Sequence, residues 1–377
     1  MKKILIFSTA YIPFIGGAEI AVKEITDRLS SDFEFFMITL NLDGVQKKEE
    51  HVGAVHVYRI GGPRKIGKLI FPFTAYQKAI DLHRAIHFDM TWSIMASFGG
   101  FAARFFKKKF PEIPYILTLQ EGDPIPEIEH KVRFVKKWFT EIFTLADRVQ
   151  VISNYLGDWA KTIGVHKPIV VIPNGVSVQK FSGQSLDVRN TIREKTYTLS
   201  EQDICLITTS RLEKKNAVDV IIDALALLSE KYSLLILGTG SLEASLKQQV
   251  VKLNLERRVI FQGLQQEKFV ISSLHASDVF IRPSRSEGMG NSFIEAMAAN
   301  VPVVATPVGG IVDFLKDGET GFFCTVDDPQ SVADCVLRYE HNPDLKKTII
   351  QNAKKMVVDK YNWDVIANDM KEKVFTA

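Results

Sequence analysis

Cysteine is scarce: three in 377 residues, and Cys205, Cys324 and Cys335 show no C-x-x-C spacing. That excludes a disulfide framework and a cysteine-built zinc site as organising devices, and it fits a reducing compartment. No apolar stretch reaches the roughly 20 residues that a membrane-crossing helix needs. The apolar run in the opening MKKILIFSTAYIPF spans only about six residues, short for the hydrophobic region of a secretion signal, and is read as a first buried strand. Internal repeats and low-complexity tracts are missing as well. So is a complete G-x-G-x-x-G after either first strand. Gly238-Thr239-Gly240 lacks the third glycine, which argues against a dinucleotide-dependent oxidoreductase.

What is present suits a globular chain of two domains, with 46% hydrophobic and 24% charged residues. The net charge of +3 hides an asymmetry: residues 1–180 carry 24 Lys+Arg against 18 Asp+Glu, and the remainder 23 against 26. A surplus of positive charge in one half suggests an acidic surface or ligand on that side. Short apolar runs alternate with helical periodicity. Strands are expected at 3–8, 33–40, 55–60, 90–94, 115–119, 149–152 and 169–172, with helices between most of them. Alternation at that period predicts a parallel, doubly wound α/β sheet, whose ligands bind beyond the carboxyl ends of the strands. Residues 182–202 are polar and aperiodic, so a domain boundary is expected near 175–200.

The densest motif is Arg282–Gly310, RPSRSEGMGNSFIEAMAANVPVVATPVGG. It predicts a strand, a glycine-rich turn, a helix over 292–299 and a second strand. Glycines let backbone approach a ligand, and a helix start offers N–H groups and partial positive charge to an anion. Glu287 and Glu295, on either side of that turn, can grip hydroxyls around a bound phosphate. Taken alone, the pair also fits a plain turn in which Glu295 caps a neighbour. In the second half, Arg211 and Lys215 follow a β-rich strand and precede an expected helix. Two cations there oppose the helix dipole, which hints at an anionic ligand.

Spacing and context along nearly the whole chain resemble the retaining glycosyltransferases of family 4, which have the GT-B fold. The resemblance implies two Rossmann-like domains facing a central cleft: 1–180 for the acceptor, 181–355 for a nucleotide sugar, and 356–377 as a helix returning to the first domain. It assigns Glu287 to the donor sugar, Glu295 to the ribose, and Arg211 with Lys215 to the diphosphate. Gly16 and Gly17 match a P-x-x-G-G segment near the donor phosphates, Gly263 borders the base, and Gly290, Asn291 and Ser292 offer backbone to phosphate.

Three positions depart from the family pattern. Gln120 stands where a His usually meets the sugar; its amide can bond a hydroxyl. Ser177 replaces the Asp after Pro173-Asn174-Gly175-Val176, and Asn216 replaces a Gly after Lys215, where it is expected to take unusual backbone angles. Glu121 or Asp123 is a candidate to take the acceptor's proton; equally, Asp123-Pro124 simply starts a turn.

The expectation is a metal-independent hexosyl transfer from a UDP- or GDP-sugar, with the two cations replacing the metal that an acidic D-x-D motif would hold. No cofactor and no nucleic acid is implied. The acceptor is a glycan or lipid-linked sugar in cell-surface polysaccharide or glycolipid synthesis, in the cytoplasm at the inner face of the cell membrane. Three basic-aromatic stretches, 62–74, 101–111 and 131–140, are candidates for peripheral contact with anionic membrane; the alternative is helices with one core face and one solvated face. A degenerate protein that binds a nucleotide sugar or a membrane without turnover is the rival reading.

Overall fold

The computed structural model describes residues 1–183, 186–197, 199–200 and 202–376. The chain forms two compact units. One holds Met1–Gly175 together with the segment from Trp363 onward, and the other holds Val176–Asn362. These divisions fall five to seven residues from the 180/181 and 355/356 of the sequence reading.

In the first unit, β1 (Lys2–Phe7), β2 (Phe33–Leu40), β3 (Glu49–Val52), β4 (Val55–Ile60), β5 (Met90–Ile94), β6 (Tyr115–Leu119), β7 (Arg148–Val151) and β8 (Ile169–Val171) form one sheet in the order β3-β4-β2-β1-β5-β6-β7-β8. Only β3 runs antiparallel to its neighbour. The central strands β5 and β6 are buried throughout, as expected of parallel strands covered on both faces.

The sequence reading missed β3, EEHV, whose residues are half-buried to exposed at the sheet edge. Helix Trp363–Met370 and the turn Lys371–Phe375 complete this unit. The Phe375 ring packs 5.1 Å from Trp92 and 5.5 Å from Phe33, centroid to centroid, so the last residues fill part of the core of the first domain.

The second unit repeats the plan with β9 (Ile204–Thr209), β10 (Tyr232–Leu237), β11 (Val259–Gly263), β12 (Val279–Arg282), β13 (Val303–Ala305) and β14 (Phe322–Phe323). All are parallel, in the order β11-β10-β9-β12-β13-β14. The division at Gly175 falls at the edge of the expected 175–200 range, but the stretch 182–202, read as aperiodic, holds a helix. Helix Leu186–Tyr197 spans most of it and lies against helix Glu267–Ala276. Buried Arg193 explains the stability of that helix. It donates to the carbonyls of Ala276 and Ser200 and pairs with Asp278, which Arg189 also holds at 2.5 Å. No periodicity reveals a helix anchored by polar groups far away in sequence.

Candidate active site

The second unit gathers its sequence-predicted residues at the carboxyl edge of its sheet. Because β9 and β12 are neighbours, the loop after β9, with Arg211 and Lys215, lies beside the loop after β12, with Glu287 and Gly290. Arg285 links the two: its N–H donates to the Lys215 carbonyl at 2.7 Å. Its guanidinium bonds the Lys214 carbonyl, Asp219 and Asp327. Sequence reading gave Arg285 no role; its partners are up to 71 residues away.

The cation loop differs from expectation in one respect. Arg211 is exposed in the loop itself and Lys215 sits in a 3-10 turn, Lys214–Asn216, with helix Val218–Leu227 starting only after Ala217. Neither cation therefore caps a helix start, and the dipole argument fails. The residue at an unusual backbone angle is Ala217, φ +53°, and not Asn216. Asn216 is buried and works through its side chain, donating from Nδ2 to the Arg211 carbonyl at 2.6 Å. A glycine could not do that. Between the cations, the Glu213 carboxylate accepts from the Ser241 hydroxyl (2.6 Å) and N–H (3.1 Å), which hold it below the usual range, with help from Arg211 and Lys215.

Gly238, the first glycine of Gly238-Thr239-Gly240, makes this loop packing possible. It sits at φ +137°, and a Cβ there would lie 1.9 Å from the Ser210 carbonyl oxygen, so only glycine fits. The loops after β9, β10 and β11 then frame a pocket of about 160 Å³ lined by Thr209, Ser210, Arg211, Leu237, Gly238, Thr239, Leu264, Gln265 and Val270. Gly263 ends β11 beside this rim and accepts from the Gly238 N–H at 2.7 Å.

The two-acid loop is organised by Arg282, a residue the sequence reading passed over. It is 6% exposed at the end of β12. Nη2 donates to Glu287 Oε2, Nη1 donates to Ser292 Oγ at 2.7 Å, and the guanidinium lies 4.4 Å from the Phe293 ring centroid. Glu287 is thus aimed by a buried cation and by the Gly288 N–H, 3.1 Å from Oε1. Gly290, φ +89°, begins helix Asn291–Ala298, and no side chain caps that start. A Cβ on Gly290 would press to 2.5 Å from Phe293 and 2.7 Å from the Arg282 guanidinium.

Glu295 stands one turn along the helix. Burial, and then the nearby Glu267 carboxylate, push its carboxyl up to about 7, with Arg282 opposing. Glu267, also unassigned from sequence, pairs with Lys180 at 3.1 Å.

In the first unit, Gly16 and Gly17 follow β1, and Gln120 and Asp123 follow β6, again at carboxyl ends. Gly16 precedes helix Gly17–Arg28 in extended conformation, with no side-chain cap. Gln120 Oε1 accepts from buried Asn174 Nδ2 at 2.9 Å, which leaves the Gln120 amide NH₂ as its donor group. Asp123 is exposed, with Lys131 Nζ 4.0 Å away. Between them Glu121 is buried. Its Oε1 accepts from the Ala96 N–H at 2.7 Å, Oε2 has no protein partner, and burial pushes the carboxyl up to about 7. Among the described residues, no three His, Cys, Asp or Glu side chains cluster as metal ligands.

Known proteins share both halves. Residues 15–180 match the family described as Glycosyltransferase Family 4, and residues 189–356 the family described as Glycosyl transferases group 1. An uncharacterized glycosyltransferase of Methanocaldococcus jannaschii is 26% identical over 96% of this chain and 94% of its own. The capsular polysaccharide biosynthesis glycosyltransferase CapM of Staphylococcus aureus is 29% identical over 52% of this chain and 51% of its own.

Among solved structures, sucrose-phosphate synthase from Thermosynechococcus elongatus superposes with a TM-score of 0.86 at 19% identity, covering 99% of this chain and 98% of that one. Anabaena HepE in complex with UDP-glucose gives 0.83 at 20%, covering all of both. The fold is therefore GT-B, two parallel-sheet α/β domains. With both halves matched to glycosyltransferase families, the chain is a glycosyltransferase.

Proposed function

We propose that the chain transfers a hexosyl group, with retention of anomeric configuration and without a metal, from a nucleotide-diphosphate sugar to a glycan or lipid-linked acceptor in surface polysaccharide or glycolipid synthesis. The observation that carries the donor half is the joining of a cation loop and a two-acid loop at one sheet edge through Arg285. The diphosphate lies against Arg211 and Lys215 on one side and the uncapped helix start at Gly290, Asn291 and Ser292 on the other, where backbone N–H groups favour an anion.

The base enters the pocket between Arg211 and Gln265, beside Gly263, and Glu295 accepts from the ribose hydroxyls. Glu287, pinned by Arg282, orients the sugar. The departing diphosphate gains negative charge as the glycosidic bond breaks, and preorganised cations at that charge lower the barrier. The acceptor attacks from the face that the leaving group departs, its proton passing to the departing phosphate, so no covalent nucleophile is needed. Gly16 and Gly17 present backbone to the donor phosphates, and the Gln120 amide donates to a sugar hydroxyl in place of the family's His. Asp123, exposed at the same edge, meets the acceptor.

The complex of HepE with UDP-glucose supports a nucleotide-sugar donor, and the likeness to CapM, a capsular polysaccharide biosynthesis glycosyltransferase, supports the acceptor class. A thermal-shift screen against UDP-, GDP- and ADP-sugars tests the donor. At 100 times the dissociation constant the right one stabilises the protein by about 2.7 kcal/mol. Arg211→Ala then lowers turnover by roughly 10²–10³-fold while EDTA leaves the wild type unaffected. Equal, slow nucleotide release by wild type and variant would instead mark a binding protein without turnover.

A further inference from the structure

Large apolar side chains stand in solvent at two places on the first unit. Ile66, Leu69 and Phe73, in the first turns of helix Lys65–Ile86, are 62%, 64% and 61% exposed. Phe134 is 84% and Trp138 51% exposed where Arg133–Val135 turns into helix Lys136–Thr144. The two places belong to one face. Helix Lys65–Ile86 packs beside helix Phe98–Lys109, which in turn packs beside Lys136–Thr144, and the Phe73 and Phe105 rings lie 5.3 Å apart. Helices Lys65–Ile86 and Phe98–Lys109 leave the carboxyl ends of β4 and β5 and so start at one end of the sheet. Helix Lys136–Thr144 is reached from β6 through helix Ile125–Lys131 and runs beside Phe98–Lys109, with Glu141 paired to Arg104. The carboxyl end of the sheet is also where β6 delivers Gln120 and Asp123.

Within the two stretches the charge has one sign, although Asp123, Glu127 and Glu129 stand exposed just before the second. Residues 62–74 and 131–140 contain no Asp or Glu. Arg64, Lys68, Arg133, Lys136 and Lys137 are exposed, and the Arg133 guanidinium covers the Phe134 ring at 4.3 Å. The middle stretch, 101–111, behaves otherwise. Arg104 and Lys108 are taken up by Glu141, and Lys107 by Asp147, so three of its four cations serve the packing of the domain. The sequence alone gave all three stretches equal standing; the structure separates them.

We propose that the face formed by the starts of helix Lys65–Ile86 and of Arg133–Thr144 docks on an anionic lipid surface, with Leu69, Phe73, Phe134 and Trp138 entering the interface and the flanking cations on the headgroups. Exposed aromatic and aliphatic side chains flanked by cations, in two stretches that hold no acid, match the chemistry of a negatively charged bilayer surface. This deepens, and rests on, the acceptor half of the reading above: the face sits at the edge bearing Gln120 and Asp123, so the acceptor is a sugar carried on a lipid of that bilayer.

Flotation of the full chain with phosphatidylcholine vesicles, with and without phosphatidylglycerol, tests it. Wild type floats with the anionic vesicles at low salt and stays behind with the neutral ones. A double change, Leu69→Ser with Phe134→Ser, weakens partitioning by roughly tenfold or more, as does Lys68→Glu with Arg133→Glu. These positions are solvent-exposed, and an unchanged melting temperature and unchanged donor-induced thermal shift verify that each variant is folded. Wild type that fails to float with anionic vesicles overturns the proposal. So does a dimer on gel filtration that Leu69→Ser with Phe134→Ser dissolves, because the face would then join two copies of the chain. Loss of the donor shift in wild type alongside intact flotation would sink the donor reading and leave the docking face standing.

Discussion

At the scale of single residues, two groups sit where water would be the easier home. Arg282 is buried between Glu287, Ser292 and Phe293. Removing it leaves the Glu287 carboxylate without its counter-charge in a largely enclosed place, and losing one partner of a buried pair costs about 3–5 kcal/mol. Arg282→Ala is therefore expected to lower the urea midpoint markedly and abolish transfer. Arg282→Lys keeps the charge but loses the fork that serves Glu287 and Ser292 together, and should restore stability only in part.

Glu121 gives a pH signature. Its carboxyl is raised from 4.5 to about 7 in the folded chain, chiefly by burial. Between those values the folded state binds more protons than the unfolded one, so stability falls as pH rises through that window. Glu295, raised the same way, contributes in the same direction. Melting curves from pH 5 to 8 should show the decline, and Glu121→Gln should flatten it. An unchanged slope in the variant would refute the assignment. Glu295 also makes donor binding pH-dependent, since its ionised form is the stronger acceptor for ribose hydroxyls. The dissociation constant should tighten from pH 6 to 8 in wild type and stay level in Glu295→Gln.

At the scale of elements, the sequence was most readable where one physical cause dominates. Strands β2, β4, β5 and β6 are buried apolar runs between turn signals, and their bounds coincide with those expected. β3 escaped because an edge strand of four mostly charged or polar residues has no buried face to impose alternation. Helix Leu186–Tyr197 escaped because its anchor, Arg193 to Asp278, spans 85 residues. The site was legible as a set of loops, since glycines and acids at strand ends carry their own signal. It was not legible as a network. Arg285 looks like any surface arginine until its partners arrive from distant loops, Arg282 until the turn and helix after β12 fold back onto it, and Asn216 was given a backbone role that belongs to its neighbour Ala217. The segment Trp363–Phe375 makes an element-level prediction. Trp363, Ile366, Met370, Val374 and Phe375 are all buried with the first domain's core. A stop codon in place of Trp363 should unfold that domain, with loss of its near-ultraviolet circular dichroism and rapid proteolysis of residues 1–175.

At the scale of the whole molecule, each unit owns a separate hydrophobic core, one built around Ile6, Trp92 and Phe375 and the other around Leu206, Leu234 and Tyr339. Domains with their own cores unfold as units. Calorimetry is expected to resolve two transitions, and a bound nucleotide sugar should raise the one belonging to residues 176–362. A donor that moved only the other transition would contradict the placing of the diphosphate at Arg211 and Lys215. No helix among the described residues is long and apolar enough to cross a membrane.

The return of Trp363–Phe375 to the domain that begins at Met1 also governs how the protein is born. Translation finishes every strand of the first sheet early, yet its closing aromatic residue leaves the ribosome only after the entire second unit has been made. At elongation rates of about 5–20 residues per second that interval is roughly 10–40 s. Throughout it, the nascent first domain keeps a gap where Phe375 will lie between Phe33 and Trp92, which makes it a natural client for chaperones that recognise exposed aromatic surface.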